Sequence, residues 1–147
     1  MKIRIKIINS YELHDIRSKV LRNGLDPKMC TFEGDTRINS IHIGAFNNNN
    51  KILGGVSLIK NNCNENSEVD CFQLRGLCVY NEFQNYGIGT KIIHKIENII
   101  SEMNIKYVWM NARVSAVKFY LNLGYTNSNK SKIIGNIGLH YMLYKYL

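Results

Sequence analysis

The stretch that decides the fold is residues 74–103, which reads LRGLCVYNEFQNYGIGTKIIHKIENIISEM. An apolar segment is followed by a polar loop and then by a long segment with apolar residues three and four positions apart. That spacing predicts a helix with one apolar face. The residues of this face are Ile88, Ile92, Ile93, Ile96, Ile99, Ile100 and Met103. The stretch is therefore expected to form a strand, a short loop and a helix, with Gly87 and Gly89 at the helix start.

The two glycines make the start of this helix suitable for binding a phosphate group. The N–H groups of a first helical turn have no acceptor within the helix, and the helix dipole makes this end partly positive. Glycine has no Cβ, so a phosphate can approach the backbone closely. The segment lacks the Gly-x-Gly-x-x-Gly pattern of dinucleotide sites and the Gly-Lys-Ser/Thr of Walker A loops. We predict a phosphate-binding loop of another kind, with glycines that only shape a turn as the alternative.

Length and composition indicate one ordinary globular domain. The 147 residues suit a single domain, predicted to span residues 1–147, and 45% of them are hydrophobic. No apolar run reaches the roughly 18 residues of a membrane span, and the first residues alternate isoleucine with charge, unlike a signal peptide. We therefore expect a cytoplasmic protein without a membrane partner.

The four cysteines, Cys30, Cys63, Cys71 and Cys78, form no Cys-x-x-Cys pair and no zinc-site spacing with histidine. They are interpreted as reduced packing residues, and no metal is expected. The net charge of +8 would suit a nucleic-acid-binding protein. The lysines are scattered without a cluster, however, so no nucleic acid partner is expected.

Alternation of apolar and polar residues predicts the other strands, and apolar residues at helical spacing predict the other helices. The expected strands are residues 2–8, 38–46, 51–60, 69–80, 105–110, 125–129 and 139–147, and the expected helices are residues 11–22, the long helix above, and one ending at Gly124. Ser10 is the expected cap of the first helix. Gly54 and Gly55 predict a bulge or a close backbone approach, and Gly76 interrupts an otherwise apolar and aromatic run. Residues 24–37, 61–68 and 134–140 are expected loops. A strand, a crossover helix and a strand imply parallel pairing.

Two motifs resemble those of the GCN5-related N-acetyltransferase (GNAT) superfamily. Gln84-x-x-Gly87-x-Gly89 after a strand is similar to its acyl-CoA-binding signature. The second motif resembles the family's Ala-x-x-Phe-Tyr-x-x-x-Gly-Phe, and its residues here are Ala116, Phe119, Tyr120, Gly124 and Tyr125. The segments QLRG (73–76), NAR (111–113) and GLHYM (138–142) are similar to those of a small bacterial-type subgroup.

The resemblance implies an α/β (α+β) GNAT fold. This fold has a mixed central sheet of about six or seven strands with flanking helices, in the order β-α-(α)-β-β-β-α-β-α-β-β. It also implies acetyl-CoA as the acyl donor, and a primary amine of a small molecule or peptide as the acceptor. Residues 24–37 would line the acceptor pocket, and a homodimer is possible in such a family.

The resemblance also assigns roles to individual residues. Backbone N–H groups of the glycine loop would hold the pyrophosphate, those of the preceding strand would bond the pantetheine, and one near Cys78 would polarise the thioester carbonyl. Tyr120 would donate its proton to the leaving thiolate. Asn111 would contact the cofactor, since Arg113 stands where the family often has Asn. The implied cofactor-binding residues are Leu77, Cys78, Val79, Gln84, Asn85, Tyr86, Gly87, Ile88, Gly89, Thr90, Asn111, Ala116, Phe119 and Tyr120.

The general base is left open by the sequence. Glu33, Asp35, His42 and His140 are candidates, with Glu33 and His140 preferred, and attack by an already neutral amine needs no base residue. Two other functions remain as alternatives: a non-catalytic acyl-CoA-binding module of the same fold, and a basic nucleic-acid-binding domain, which would bind DNA or RNA with strong salt dependence.

Overall fold

The computed structural model describes residues 1–62 and 70–147. Seven strands lie in one sheet in the order β1-β2-β3-β4-β5-β7-β6. The strands are β1 (Arg4–Ile8), β2 (Ile41–Phe46), β3 (Ile52–Ile59), β4 (Cys71–Val79), β5 (Tyr107–Arg113), β6 (Thr126–Ile134) and β7 (Gly138–Tyr146). The predicted α/β class with a mixed sheet of six or seven strands is confirmed. Most of the predicted loop at residues 61–68, Cys63 and the predicted strand start at Val69 lie outside the described residues.

Helix α1 is made of three consecutive helical segments with different geometry. It runs as a 3₁₀ turn over Ser10–Leu13, as α-helix over His14–Ile16 and as π-helix over Arg17–Leu21. The helix predicted over residues 11–22 is therefore present but not uniform. Its cap is Asn9 rather than Ser10, because the Asn9 N–H donates to the Glu12 carboxylate at 2.9 Å. Short 3₁₀ turns also occur at Pro27–Met29 and Asn81–Phe83.

Helix α2 (Ile88–Glu102) buries the apolar face that the sequence predicts. Ile88, Ile92, Ile93, Ile96 and Ile100 are each at most 1% exposed. Met103 is 48% exposed, because the helix ends one residue before it. Full burial of each isoleucine contributes roughly 1.5–3 kcal/mol, so this face is a major source of stability.

The described residues group into two compact units. The first comprises residues 1–60 and 74–99. In it, β2 pairs antiparallel with β1 and β3, and Leu13 and Ile16 of α1 form a core cluster with Cys78. The predicted close approach at the glycine pair is confirmed. A Cβ on Gly54 would stand 2.8 Å from the carbonyl oxygen of Cys78, and the β2–β3 register shifts after Ala45.

The second unit comprises, of the described residues, 61–62, 70–73 and 100–147. Strand β5 pairs parallel with Cys71, Phe72 and Gln73 of β4, as the crossover predicts, and antiparallel with β7. Helix α3 (Val114–Asn122) is followed by Gly124 at φ +91°, the left-handed residue expected after a helix.

The β6–β7 hairpin of the second unit differs from the prediction. Strand β6 extends to Ile134 instead of ending at residue 129, and β7 begins at Gly138. The predicted loop at 134–140 shrinks accordingly. The reason is that β6 is mostly polar and exposed, so it carries no apolar alternation, and its pairing with β7 defines it.

Candidate active site

The loop between β4 and α2 begins with a tight turn. Within it, the Phe83 N–H donates to the Tyr80 carbonyl at 2.9 Å, and the Gln84 N–H donates to the Asn81 carbonyl at 3.3 Å. The Gln84 side-chain amide also donates, to the Val79 carbonyl at 3.0 Å and to Asn81 Oδ1 at 3.1 Å. The signature glutamine therefore ties the loop to the end of β4.

Two residues with left-handed backbone conformation precede the start of α2. Asn85 and Gly87 have φ values of +68° and +76°, and α2 begins directly after them. Left-handed residues of this kind create concave groups of N–H donors that bind anions. An ideal Cβ on Gly87 would meet no heavy atom within 4 Å, so the space beside its backbone is open. The loop has the geometry required of a phosphate cradle.

Strand β4 supplies the residues that precede this cradle. Cys78 is 4% exposed, while Leu77 and Val79 are half-buried. Burial raises the pKa of the Cys78 thiol to about 12, so it is a protonated packing residue at neutral pH. Cys30 and Cys71 are also buried, as expected for packing cysteines.

A cavity of about 390 Å³ lies at the end of β4, beside the start of the loop. It is lined by Asp15, Lys19, Val20, Lys51, Tyr80, Asn81 and Glu82. The Tyr80 hydroxyl donates to the Asp15 carboxylate. Burial and this carboxylate raise the pKa of Tyr80, and the same hydrogen bond lowers the pKa of Asp15. Tyr80 is therefore a neutral donor that fixes α1 to the end of the strand.

A buried polar network lies between α1, the segment after it and the hairpin. Arg17 is 1% exposed and donates to both carboxylate oxygens of Asp35, at 2.6 and 3.1 Å. It also donates to the Ser57 hydroxyl at 2.8 Å and to the Cys30 carbonyl at 2.9 Å. His42 contacts the Ser57 hydroxyl through Nδ1 at 2.6 Å and the Asp35 carbonyl through Nε2 at 2.8 Å.

This network engages two of the four candidate bases. Burial raises the pKa of Asp35, but the hydrogen bonds from Arg17 and the Phe32 N–H outweigh it, and the pKa lies below its ordinary value. A carboxylate held in this way is a weak base. His42 faces a carbonyl through Nε2, so that nitrogen must carry a proton, and Nδ1 faces a hydroxyl. Asp35 and His42 therefore stabilise the fold through these hydrogen bonds.

The remaining candidate bases lie in different surroundings. The Glu33 side chain is 89% exposed and stands 3.9 Å from Arg37. His140 is 6% exposed within β7, instead of in the predicted glycine loop, and its Nδ1 donates to the Gly138 carbonyl at 2.9 Å. It lies opposite Arg113 in the β5–β7 register.

Tyr120 and the residues around it belong to the second unit. Tyr120 is 4% exposed, and its ring makes edge contacts with Phe119 at 5.1 Å and Tyr125 at 5.6 Å between centroids. Asn111 and Ala116 are half-buried on β5 and α3. The structure thus groups Tyr120, Phe119 and Tyr125 in one aromatic cluster of the second unit, while residues 74–79 of β4 and the glycine loop belong to the first unit.

The sequence patterns did not predict the partnership of Arg17 with Asp35 and Ser57, or the surroundings of Arg75. One signal was available for Arg17, because this charged residue falls on the apolar side of the first predicted helix. A charge in that position is buried only when it has a partner. Among the described residues, no cluster of side chains suited to a metal ion is found. No helix in the described ranges is long and apolar enough to cross a membrane.

Comparison with known proteins identifies the family. The sequence profile of the acetyltransferase (GNAT) domain matches residues 31–145. The uncharacterized N-acetyltransferase YitI of Bacillus subtilis is 25% identical over 145 residues, which cover 99% of this chain and 97% of that protein. The chain belongs to the GNAT acetyltransferase family, and the predicted enzyme class of N-acetyltransferase is confirmed.

Solved structures agree on the fold. Escherichia coli ElaA superposes with a TM-score of 0.75 at 14% identity, over 98% of this chain and 99% of that one. An aminoglycoside 6'-N-acetyltransferase complexed with coenzyme A superposes with a TM-score of 0.72 at 14% identity, over 97% and 96% of the two chains. The residues of the β4–α2 loop fit coenzyme A, because an open backbone beside Gly87 and first-turn amides suit its pyrophosphate.

Proposed function

We propose that this protein transfers the acetyl group of acetyl-CoA to a primary amine of a small molecule or peptide. The observation that carries the proposal is the loop after β4, where two left-handed residues and an open Gly87 precede the first turn of α2. Family membership supports acetyl-CoA as the donor that occupies this loop. The chemistry that the cofactor supplies is an activated thioester, which an amine can attack.

On this proposal, the amides of residues 84–90 bind the pyrophosphate and the backbone of residues 77–79 bonds the pantetheine. A backbone N–H near Cys78 donates to the thioester oxygen as negative charge develops there. Stabilisation of this charge is often the strongest single source of catalysis in acyl transfer. Cys78 itself forms no acyl intermediate, because its thiol stays protonated and buried.

The acceptor amine attacks directly in its neutral form. Asp35 and His42 are engaged in the buried network, so neither is free to remove the amine proton. Among the bases considered, Glu33 and His140 remain. By resemblance to the family, Asn111, Ala116 and Phe119 support the cofactor, and Tyr120 is the general acid that returns a proton to the leaving thiolate.

The first test is calorimetric titration of the protein with acetyl-CoA. Saturable binding is expected, and Gly87→Val should weaken it at least roughly tenfold, because a side chain would fill the phosphate space. Gly135→Val is the matched control, since Gly135 also has positive φ and no heavy atom within 4 Å of an ideal Cβ. Absence of saturable binding by the wild-type protein would refute the proposal.

A second test separates an enzyme from a module that only binds acyl-CoA. Release of free CoA is followed with a panel of amines, and turnover with at least one of them is expected. Tyr120→Phe should lower kcat by roughly 100-fold or more while the Kd for acetyl-CoA stays unchanged. Tyr125→Phe removes a hydroxyl from the same aromatic cluster and is the control. Equal kcat in the wild type and Tyr120→Phe would remove Tyr120 from the mechanism.

A further inference from the structure

Three arginine side chains surround one buried phenylalanine in the first unit. The guanidinium carbons of Arg17, Arg75 and Arg22 lie 3.8, 4.8 and 5.2 Å from the centroid of the Phe32 ring. Phe32 is 8% exposed. Cations are attracted to the face of an aromatic ring, but like charges in one place repel each other, so this arrangement needs negative charge nearby.

The carboxylate beside the ring belongs to Asp35, and it is paired with Arg17. Arg75 therefore has no carboxylate close to it. Asp35 is used by Arg17 in a two-point ion pair. Within the part of the chain that the structure describes, no carboxylate oxygen lies within 4.0 Å of the Arg75 guanidinium. Its hydrogen bond is a long one of 3.5 Å, from Nη1 to the Glu33 carbonyl. Desolvation lowers the pKa of Arg75 below its ordinary value, and Arg17 adds to this, although the charges of Asp35 and Glu33 act in the opposite direction. A half-buried cation in this state gains from an anionic ligand.

The Phe32 ring lies directly against the strand backbone next to Arg75. The next residue, Gly76, has φ +68°, and a Cβ on it would stand 2.4 Å from Phe32 Cε2. The ring therefore packs directly on the strand backbone beside Arg75. A guanidinium lying over a ring keeps its edge N–H donors, and their spacing matches the two oxygens of a carboxylate.

Arg75 lies on the same strand as the residues that are proposed to bind the thioester arm of the cofactor. It lies two residues before Leu77 on β4, which is about 7 Å along a strand. In the function proposed above, Leu77 begins the backbone stretch that binds the thioester arm of the cofactor. The backbone N–H near Cys78 that is proposed to bond the thioester lies three residues from Arg75, roughly 10 Å along the strand, a span that the long arginine side chain and the acceptor can bridge together.

We propose that Arg75, backed by Phe32, binds a carboxylate of the acceptor, so that the acceptor is an amino-acid-like molecule carrying both an amine and a carboxylate. This inference rests on the proposed acetyltransferase function. The carboxylate supplies the negative charge that Arg75 lacks and holds the amine near the thioester.

The experiment measures binding of matched acids and amides by calorimetry, with and without saturating CoA. The probes are N-acetylglycine, N-acetyl-β-alanine and 4-acetamidobutyrate, each compared with its carboxamide, which has the same shape without the charge. At least one acid should bind roughly tenfold more tightly than its amide, as expected for a charge-assisted pair. Arg75→Gln should abolish that preference, and Arg75→Lys should restore part of it.

Arg4→Gln is the control, because Arg4 is an exposed arginine of β1 that donates to Asn50 Oδ1 at 3.1 Å and has no proposed part in the site. It should keep the preference for the acid. Equal binding of acids and amides, no binding by any probe, or a preference that survives in Arg75→Gln would each overturn the proposal. The wild-type comparison decides the matter even if Arg75→Gln does not fold. Failure of the acetyltransferase function itself would appear separately, as the absence of CoA binding.

Discussion

Replacement of Asp35 by alanine tests the buried network most directly. The variant leaves the Arg17 guanidinium 1% exposed, with bonds to neutral groups, the Ser57 hydroxyl and the Cys30 carbonyl. It also removes the acceptor of the Phe32 N–H, which lies 2.9 Å from the Asp35 carboxylate. Removing one partner of a buried ion pair costs about 3–5 kcal/mol. Since a whole domain is stable by only about 5–15 kcal/mol, the loss is a large fraction of the total.

The assay is urea unfolding followed by circular dichroism, for the wild type and five variants: Asp35→Ala, Glu33→Ala, Arg17→Met, Asp35→Leu, and the combination of the last two. Glu33→Ala is the matched control, because this carboxylate is 89% exposed and 3.9 Å from its partner, and its loss should cost at most about 0.5 kcal/mol. Arg17→Met combined with Asp35→Leu should cost less than the sum of the single changes, since no unpaired charge remains. A loss below about 1 kcal/mol for Asp35→Ala would refute this account of the network.

Two further predictions concern acid stability and Gly76, which has positive φ. Because the pKa of Asp35 is lower in the folded than in the unfolded state, its stabilising contribution is present above its ordinary pKa of 3.8 and lost as pH falls through the folded value. Urea unfolding at a series of acid pH values should show a steeper fall for the wild type than for Asp35→Asn, and equal slopes would contradict the assignment. Gly76→Ala should destabilise the protein by about 1–3 kcal/mol more than Gly24→Ala in the same assay, because both sites have positive φ but only a Cβ at Gly76 meets Phe32. Equal losses for the two glycine variants would show that the ring moves aside freely.

The sequence by itself determined the elements that depend on local spacing. Isoleucines three and four positions apart predicted α2, and Ile88, Ile92, Ile93, Ile96 and Ile100 are buried as expected. Gly124 predicted the end of α3, and the strand–helix–strand order predicted the parallel pairing of β5 with β4. These features follow from interactions among near neighbours, or from the handedness of one crossover. The two signature motifs were sufficient to predict the family because each combines such an element with fixed residues.

Only the tertiary structure decided which polar residues are available for chemistry. Arg17 contacts Asp35, which is 18 positions away in the sequence, and Ser57, which is 40 positions away. No local sequence pattern predicts such contacts. The sequence therefore left Asp35 and His42 as possible bases, whereas burial and hydrogen bonding engage both in the fold. The sequence also indicated no role for Arg75, because that role depends on contact with the Phe32 ring, which comes from a loop distant in the sequence. Chemical role depends on desolvation and on charges brought together by folding, so it is set by the assembled structure.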